Sequence, residues 1–278
     1  MKYKLLVLDV DGTLLNKEKE ISPRTLSTLL KIQQMGVRIV LASGRPTFGI
    51  RPIALKLELD KNDGFILSYN GGQIISMQKE ELLFEKRINP EMLAYLEKKA
   101  TESGFDVFTY HQDKIYTNNP FNEYITREAH INRMGVLSFE HLAPHIDFAP
   151  CKFMIAGKRE DHLIKLEQHW KKRLNGVLDV FRSEPYFLEV VPNFIDKANT
   201  LGVLLEKLSV KPEEVMAIGD GVCDFSMIQL AGLGVAMGNA QDSVQACADI
   251  VTPPNDEDGV ALAAENNILA EIHPSEIP

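Results

Sequence analysis

The chain has 278 residues, 45% of them hydrophobic and 25% charged, with a net charge of −9. That length accommodates two domains with real cores, and the composition is that of a soluble globular protein. The acidic balance excludes nucleic-acid binding driven by overall charge, while leaving room for a small anion held by local donors.

The first element is the run Leu5 to Leu8, continuously apolar and so read as a strand buried on both faces. It leads into Asp9-Val10-Asp11-Gly12-Thr13-Leu14. Alternate side chains of a strand share a face, so Asp9 and Asp11 can point the same way at its carboxyl end. Two anions that close repel unless a cation or a proton lies between them, which marks a metal site, an acid–base pair, or both.

Ser22-Pro23 supplies a capping residue and a first-turn proline, Leu26, Leu29 and Leu30 share a helical face, and Gly36 is a stop. Val37 to Ala42 reads as a second buried strand and runs into Ser43-Gly44-Arg45. Strand–helix–strand in this span implies parallel pairing with a right-handed crossover. Phe65 to Leu67 adds a third strand, and Asn70-Gly71 a turn before Ile74-Ile75.

Residues 85–192 carry most of the aromatics and histidines, with helical patterns at Pro90 to Ser103 and Glu160 to Leu174 and strand-like pieces at Phe105 to Tyr110 and Phe187 to Val191. The expectation is an inserted α+β domain, with Trp170 packing inside it. His141 and His145 are four apart, but Pro144 between them argues against one helix holding both.

The earlier grammar then returns. Leu201, Leu204, Leu205 and Leu208 share a face, Val215 to Ile218 is a strand ending in Gly219-Asp220-Gly221, and Asp224 to Leu230 reads as a helix. Leu233 to Ala236 is a strand, Ala240 to Ala248 a helix, and Ile250-Val251 a last short strand. The expected fold is a doubly wound parallel-sheet α/β core, residues 1–84 plus 193–278, interrupted by a cap at 85–192, with the site beyond the carboxyl ends of the strands.

Taken singly, Ser43-Gly44 is a turn, Lys197 a surface charge and Asp224 a helix cap. Together, four strand ends offer a nucleophile, hydroxyl and amide donors, a cation and oxygen ligands that suit Mg²⁺. Asp9 to Leu15 (DVDGTLL), Leu41 to Arg45 (LASGR), Lys197 and Gly219 to Asp224 (GDGVCD) resemble the haloacid dehalogenase superfamily of phosphatases. Gly234 to Ala240 and Asn255 to Ala261 resemble its Cof-type branch, whose members carry a large cap.

The resemblance implies Asp9 as a nucleophile that becomes an aspartyl-phosphate, and Asp11 as the acid and then the base. It implies Mg²⁺ held by Asp9, the Asp11 carbonyl and Asp220, with Asp224 as a further ligand or a supporting partner. It implies Ser43, Gly44 and Lys197 around the phosphoryl group. The implied substrate is a small phosphorylated metabolite, a sugar phosphate or similar, selected by the cap. A sugar phosphomutase and a weakly active or non-catalytic phosphate-binding protein are the alternatives. Two departures stand out: Cys223 occupies a position where the family has Asn, and Ala198 follows the lysine where the family tends to have Gly.

Three scattered cysteines, Cys151, Cys223 and Cys247, form no CxxC and fit a reducing cytosol better than a disulfide framework or a zinc site. No apolar stretch approaches the ~20 residues of a membrane span, and the N-terminal apolar run is too short for a signal peptide. The expectation is a cytoplasmic protein, a monomer or weak homo-oligomer, with neither nucleic acid nor membrane as partner.

Overall fold

The computed structural model describes residues 2–271. These form two compact units, residues 2–84 with 196–271 and residues 85–195. In the first, β1 (Leu5–Leu8), α1 (Pro23–Gln34), β2 (Arg38–Ala42) and β3 (Phe65–Ser68) follow the order the sequence predicts, and α2 (Thr47–Lys56), which the sequence reading did not mark, lies between β2 and β3. Ser22 caps α1 by accepting from the Thr25 amide, and Pro23 stands in its first turn. The turn at Asn70-Gly71 reverses the chain into β4 (Gln73–Ser76), which pairs antiparallel with β3, and β5 (Glu81–Glu85) follows.

The second unit contains α3 (Leu93–Glu102), β6 (Asp106–His111), β7 (Lys114–Thr117), α4 (Glu123–Asn132), β8 (Gly135–Ser138), β9 (Phe153–Ala156), α5 (Glu160–Arg173), β10 (Leu178–Glu184) and β11 (Phe187–Pro192). Its strands form a six-stranded sheet in the order β10-β11-β9-β6-β7-β8, antiparallel except for β7 with β8. Leu93 and Leu96 of α3 and Leu163 and Trp170 of α5 pack with Val107, Phe153, Ile155, Leu188 and Val190, so Trp170 is core, as expected. No regular helix joins His141 to His145: only a short 3₁₀ turn, Ala143–His145, lies there.

The chain then re-enters the first unit with α6 (Lys197–Leu208), β12 (Val215–Gly219), α7 (Phe225–Leu230), β13 (Leu233–Met237), α8 (Asp242–Gln245), β14 (Ile250–Thr252) and α9 (Gly259–Asn267). Among the helices that the sequence predicts, the one over Ala240 to Ala248 differs in substance. Only α8, a single turn, forms there. The Gln245 side-chain amide turns back on the carbonyls of Gly238 and Ala240 at 3.1 and 3.2 Å, and the chain must at once return to β14.

The first unit's eight strands run β14-β13-β12-β1-β2-β3-β4-β5, with parallel pairing from β14 to β3. Leu6, Leu8, Ile39 and Leu41 belong to a core shared with Leu29 and Ile32 of α1 and Val260 of α9. Leu5, Val7, Val40 and Ala42 belong to another, shared with Leu201 and Leu204 of α6 and Met227 of α7. Covering both faces is why these strands read as unbroken apolar runs.

Candidate active site

β12, β1 and β2 are neighbours in the centre of the sheet, and each delivers a polar residue just past its carboxyl end. Asp9 follows β1, and its amide still donates to the Ile218 carbonyl at 3.0 Å, so its backbone remains fixed by the sheet. It keeps the alternation of Leu5 and Val7, the face that α6 covers. Lys197, the first residue of α6, is 1% exposed, and its ammonium donates to Asp9 Oδ1 at 2.6 Å and Asp224 Oδ1 at 2.5 Å. A lysine that taken singly reads as a surface charge is among the most buried side chains of the described residues.

Asp224 is fully buried and does not cap α7 with its side chain. Its Oδ2 accepts from the amides of Asp220 and Gly221 at 3.0 and 2.9 Å, while Oδ1 accepts from Lys197. It thus shapes the turn that presents Asp220 and anchors the ammonium. Thr13 donates to Asp220 Oδ1 at 2.7 Å. Gly12, with φ +86°, passes so close to Asp220 that a Cβ there would lie 2.3 Å from Oδ2. Only glycine fits both the backbone angle and the space.

One carboxylate oxygen from each of Asp9, Asp220 and Asp224 lies within 4.8 Å of the others. Three carboxylates around one ammonium leave two negative charges in excess. Burial, and then the charge of Asp224, push the Asp9 carboxyl well above its ordinary value despite Lys197. Burial also pushes Asp220 up to about 6; the Thr13 hydrogen bond opposes this and the Asp224 charge adds to it. Burial alone would lower Lys197, but Asp224 and Asp9 outweigh it and hold the ammonium charged. A buried oxygen cluster short of two positive charges fits a hard divalent cation such as Mg²⁺.

Asp11 lies outside that cluster. Arg45 clamps it side-on, Nε to Oδ2 at 2.5 Å and Nη2 to Oδ1 at 2.6 Å, and Lys19 reaches Oδ1 at 2.8 Å. Burial works to raise its pKa, but the hydrogen bonds and charge of Arg45, then Lys19, hold it below the usual carboxylate range. Ser43 is buried, and its hydroxyl oxygen accepts the Arg45 amide at 3.2 Å, which leaves its own hydrogen to donate. Gly44 packs against Asn70, with room for a Cβ only 3.0 Å from the Asn70 side-chain oxygen.

Sequence reading assigned no role to Arg45, Lys19 or Thr13, and none to the two asparagines of the C-terminal motifs. Asn239 donates to the Gly12 carbonyl at 2.8 Å and Asn255 to the Leu15 carbonyl at 2.7 Å, while the Asn255 amide donates to Asn239 at 2.9 Å. These residues staple the Asp9 to Leu15 loop from the far end of the chain. Among the described residues no helix is long and apolar enough to cross a membrane.

A model of haloacid dehalogenase-like hydrolases matches residues 6–263, nearly the whole chain. The chain belongs to this family. The 5-amino-6-(5-phospho-D-ribitylamino)uracil phosphatase YcsE of Bacillus subtilis is 32% identical over 267 residues, covering 96% of each chain. A haloacid dehalogenase-like hydrolase from Bacteroides thetaiotaomicron is 48% identical, with a TM-score of 0.91 over 95% of this chain and 99% of that one. A sugar phosphatase of HAD subclass IIB is 25% identical, with a TM-score of 0.79 over 95% of this chain and 98% of that one. The doubly wound core and the α+β cap are those of the family, and the enzyme class is that of a phosphoric monoester hydrolase, as the motifs implied.

Proposed function

We propose that the protein is a Mg²⁺-dependent phosphatase of small phosphorylated sugars or polyols, acting through a phosphoryl group carried on Asp9. The observation that carries this reading is the buried cluster of Asp9, Asp220 and Asp224 around Lys197, short of two positive charges. The phosphorylated ribityl chain in YcsE's name and the sugar phosphatase among similar structures favour a polyhydroxylated leaving group.

Asp9, the Asp11 carbonyl and Asp220 would hold the cation, with Asp224 as supporting partner or further ligand. When bound, the cation neutralises charge between the carboxylate nucleophile and the phosphoryl oxygens, so that two anions can meet. In the first half-reaction an Asp9 oxygen bonds to phosphorus while the ester P–O bond breaks. The leaving oxygen keeps the bond's electron pair and takes a proton from Asp11, departing as an alcohol. In the second half, water attacks phosphorus and gives its proton to the Asp11 carboxylate, and the bond to Asp9 breaks to release phosphate. Lys197, the Ser43 hydroxyl and the Gly44 amide would orient the phosphoryl oxygens.

The test is release of inorganic phosphate from a panel of sugar, polyol and aryl phosphates, with and without Mg²⁺, beside Asp9→Asn. Magnesium-dependent release that vanishes in the variant supports the reading. Transfer of phosphate between sugar hydroxyls without release would make the protein a mutase instead.

A further inference from the structure

We propose that Arg45 is a positioning residue for proton transfer: its guanidinium fork holds the Asp11 carboxylate in the one orientation from which it serves the leaving oxygen. The inference rests on the phosphatase reading and deepens it.

Asp11 stands on a loop after β1 and its side chain is 37% exposed, so alone it would explore several rotamers. The Arg45 side chain is only 10% exposed and engages both carboxylate oxygens. Its root is fixed too: the Arg45 amide donates to Ser43 Oγ at 3.2 Å and its carbonyl accepts the Tyr69 amide at 3.0 Å. A planar fork anchored at its root fixes direction as well as charge, which an ammonium on a flexible stem does not. Lys19, whose side chain is 54% exposed, adds charge to Oδ1 but little constraint.

The leaving group's need for a proton distinguishes this role from two simpler ones. A structural ion pair, or a cation that binds phosphate, would serve every phosphoester alike. A residue that aims the proton donor matters in proportion to the leaving group's need for a proton. As the ester P–O bond breaks, an alkyl leaving oxygen takes Asp11's proton, and the carboxylate left behind is the form that Arg45 and Lys19 stabilise, so the contacts that disfavour the free acid favour the transfer itself. A nitrophenolate departs without one.

The experiment compares kcat/KM for an alkyl phosphate (a sugar or glycerol phosphate) with that for p-nitrophenyl phosphate in the wild type, Arg45→Ala, Arg45→Lys, Asp11→Asn and the double variant. The ratio within one preparation is independent of how much of it is folded, so a poorly folding variant still reports. Arg45→Ala is expected to lose about tenfold more on the alkyl ester than on the aryl ester. Arg45→Lys should fall between, and Arg45→Ala should leave the ratio unchanged when Asp11 is already Asn. Equal losses on both esters, or a further change of ratio in the Asp11→Asn background, would overturn the role of Arg45 alone. Hydrolysis of neither ester by the wild type would overturn the phosphatase reading and this inference with it.

Discussion

Replacing Lys197 by Met, a side chain of similar length without charge, tests the electrostatics of the site in the absence of any substrate. Asp9 and Asp224 are 6% and 0% exposed, and Lys197 is a hydrogen-bonded partner of both. Removing one member of a buried ion pair costs about 3–5 kcal/mol, because the other charge is left uncompensated. For a unit of this size that corresponds to a fall in Tm of about 6–20 °C. The loss must depend on pH. Asp9 and Asp220 have folded-state pKa values raised above the ordinary carboxylate range. Groups of that kind contribute stability that is fully present below about pH 4 and is lost as pH rises through the folded value. Without Lys197 that loss deepens, so the gap between wild type and variant should be small near pH 4.5 and widest near pH 8. Thermal unfolding of both proteins across this range, without metal, reads it directly. A gap under about 1 kcal/mol at pH 8, or one that does not narrow on acidification, would refute the account of the cluster as a charge-deficient site.

Three other outcomes follow from the same geometry. Gly12→Ala forces a Cβ into Asp220 at a backbone angle costing about 1–2 kcal/mol, so it should raise the Mg²⁺ concentration needed for half-maximal phosphate release. An unchanged magnesium titration would place Asp220 outside the metal site. Burial pushes Asp220 up to about 6 and Asp9 above its ordinary value, and both must be ionised to bind a cation, so Mg²⁺ affinity measured calorimetrically should fall by about tenfold per pH unit or more below 6. An affinity flat down to pH 5 would contradict the raised value. Cys223 is exposed, with its sulfur 3.8 Å from Asp224 Oδ1, where a thiol donates weakly. Cys223→Asn should raise kcat by about two- to tenfold, the worth of one good hydrogen bond; no change in kcat or in the Mg²⁺ requirement would dismiss the position as indifferent.

What the sequence disclosed follows from where information is local. β1, β2 and β12 are buried on both faces, so composition alone marks them, and the carboxylates and glycines at their ends stand out against it. The Ser22-Pro23 start of α1 carries its own capping chemistry. By contrast α2 contains Pro52 and α9 has no side-chain cap, so neither announces itself. Contacts across long separations were equally silent. Nothing near Asn239 or Asn255 says that they hold carbonyls more than 200 residues away. In the second unit, Lys152, just before β9, and Glu189 of β11 form a buried pair at 3.1 Å. Each alone resembles a surface charge, and only antiparallel pairing of β9 with β11 brings them together. Arg45 was visible within its motif, but its grip on Asp11 depends on the β1–β2 register.

The central claim is that Asp9 carries the phosphoryl group, and the most direct measurement is to catch it there. Rapid acid quench during turnover of an alkyl phosphate, followed by peptide mass spectrometry, should find one phosphoryl group on the segment containing Asp9. With p-nitrophenyl phosphate, whose leaving group needs no proton, Asp11→Asn should accumulate more of it, since the proposed base for water is then missing while the first step is spared. Phosphate released with no label on that segment, together with activity retained in Asp9→Asn, would contradict the account.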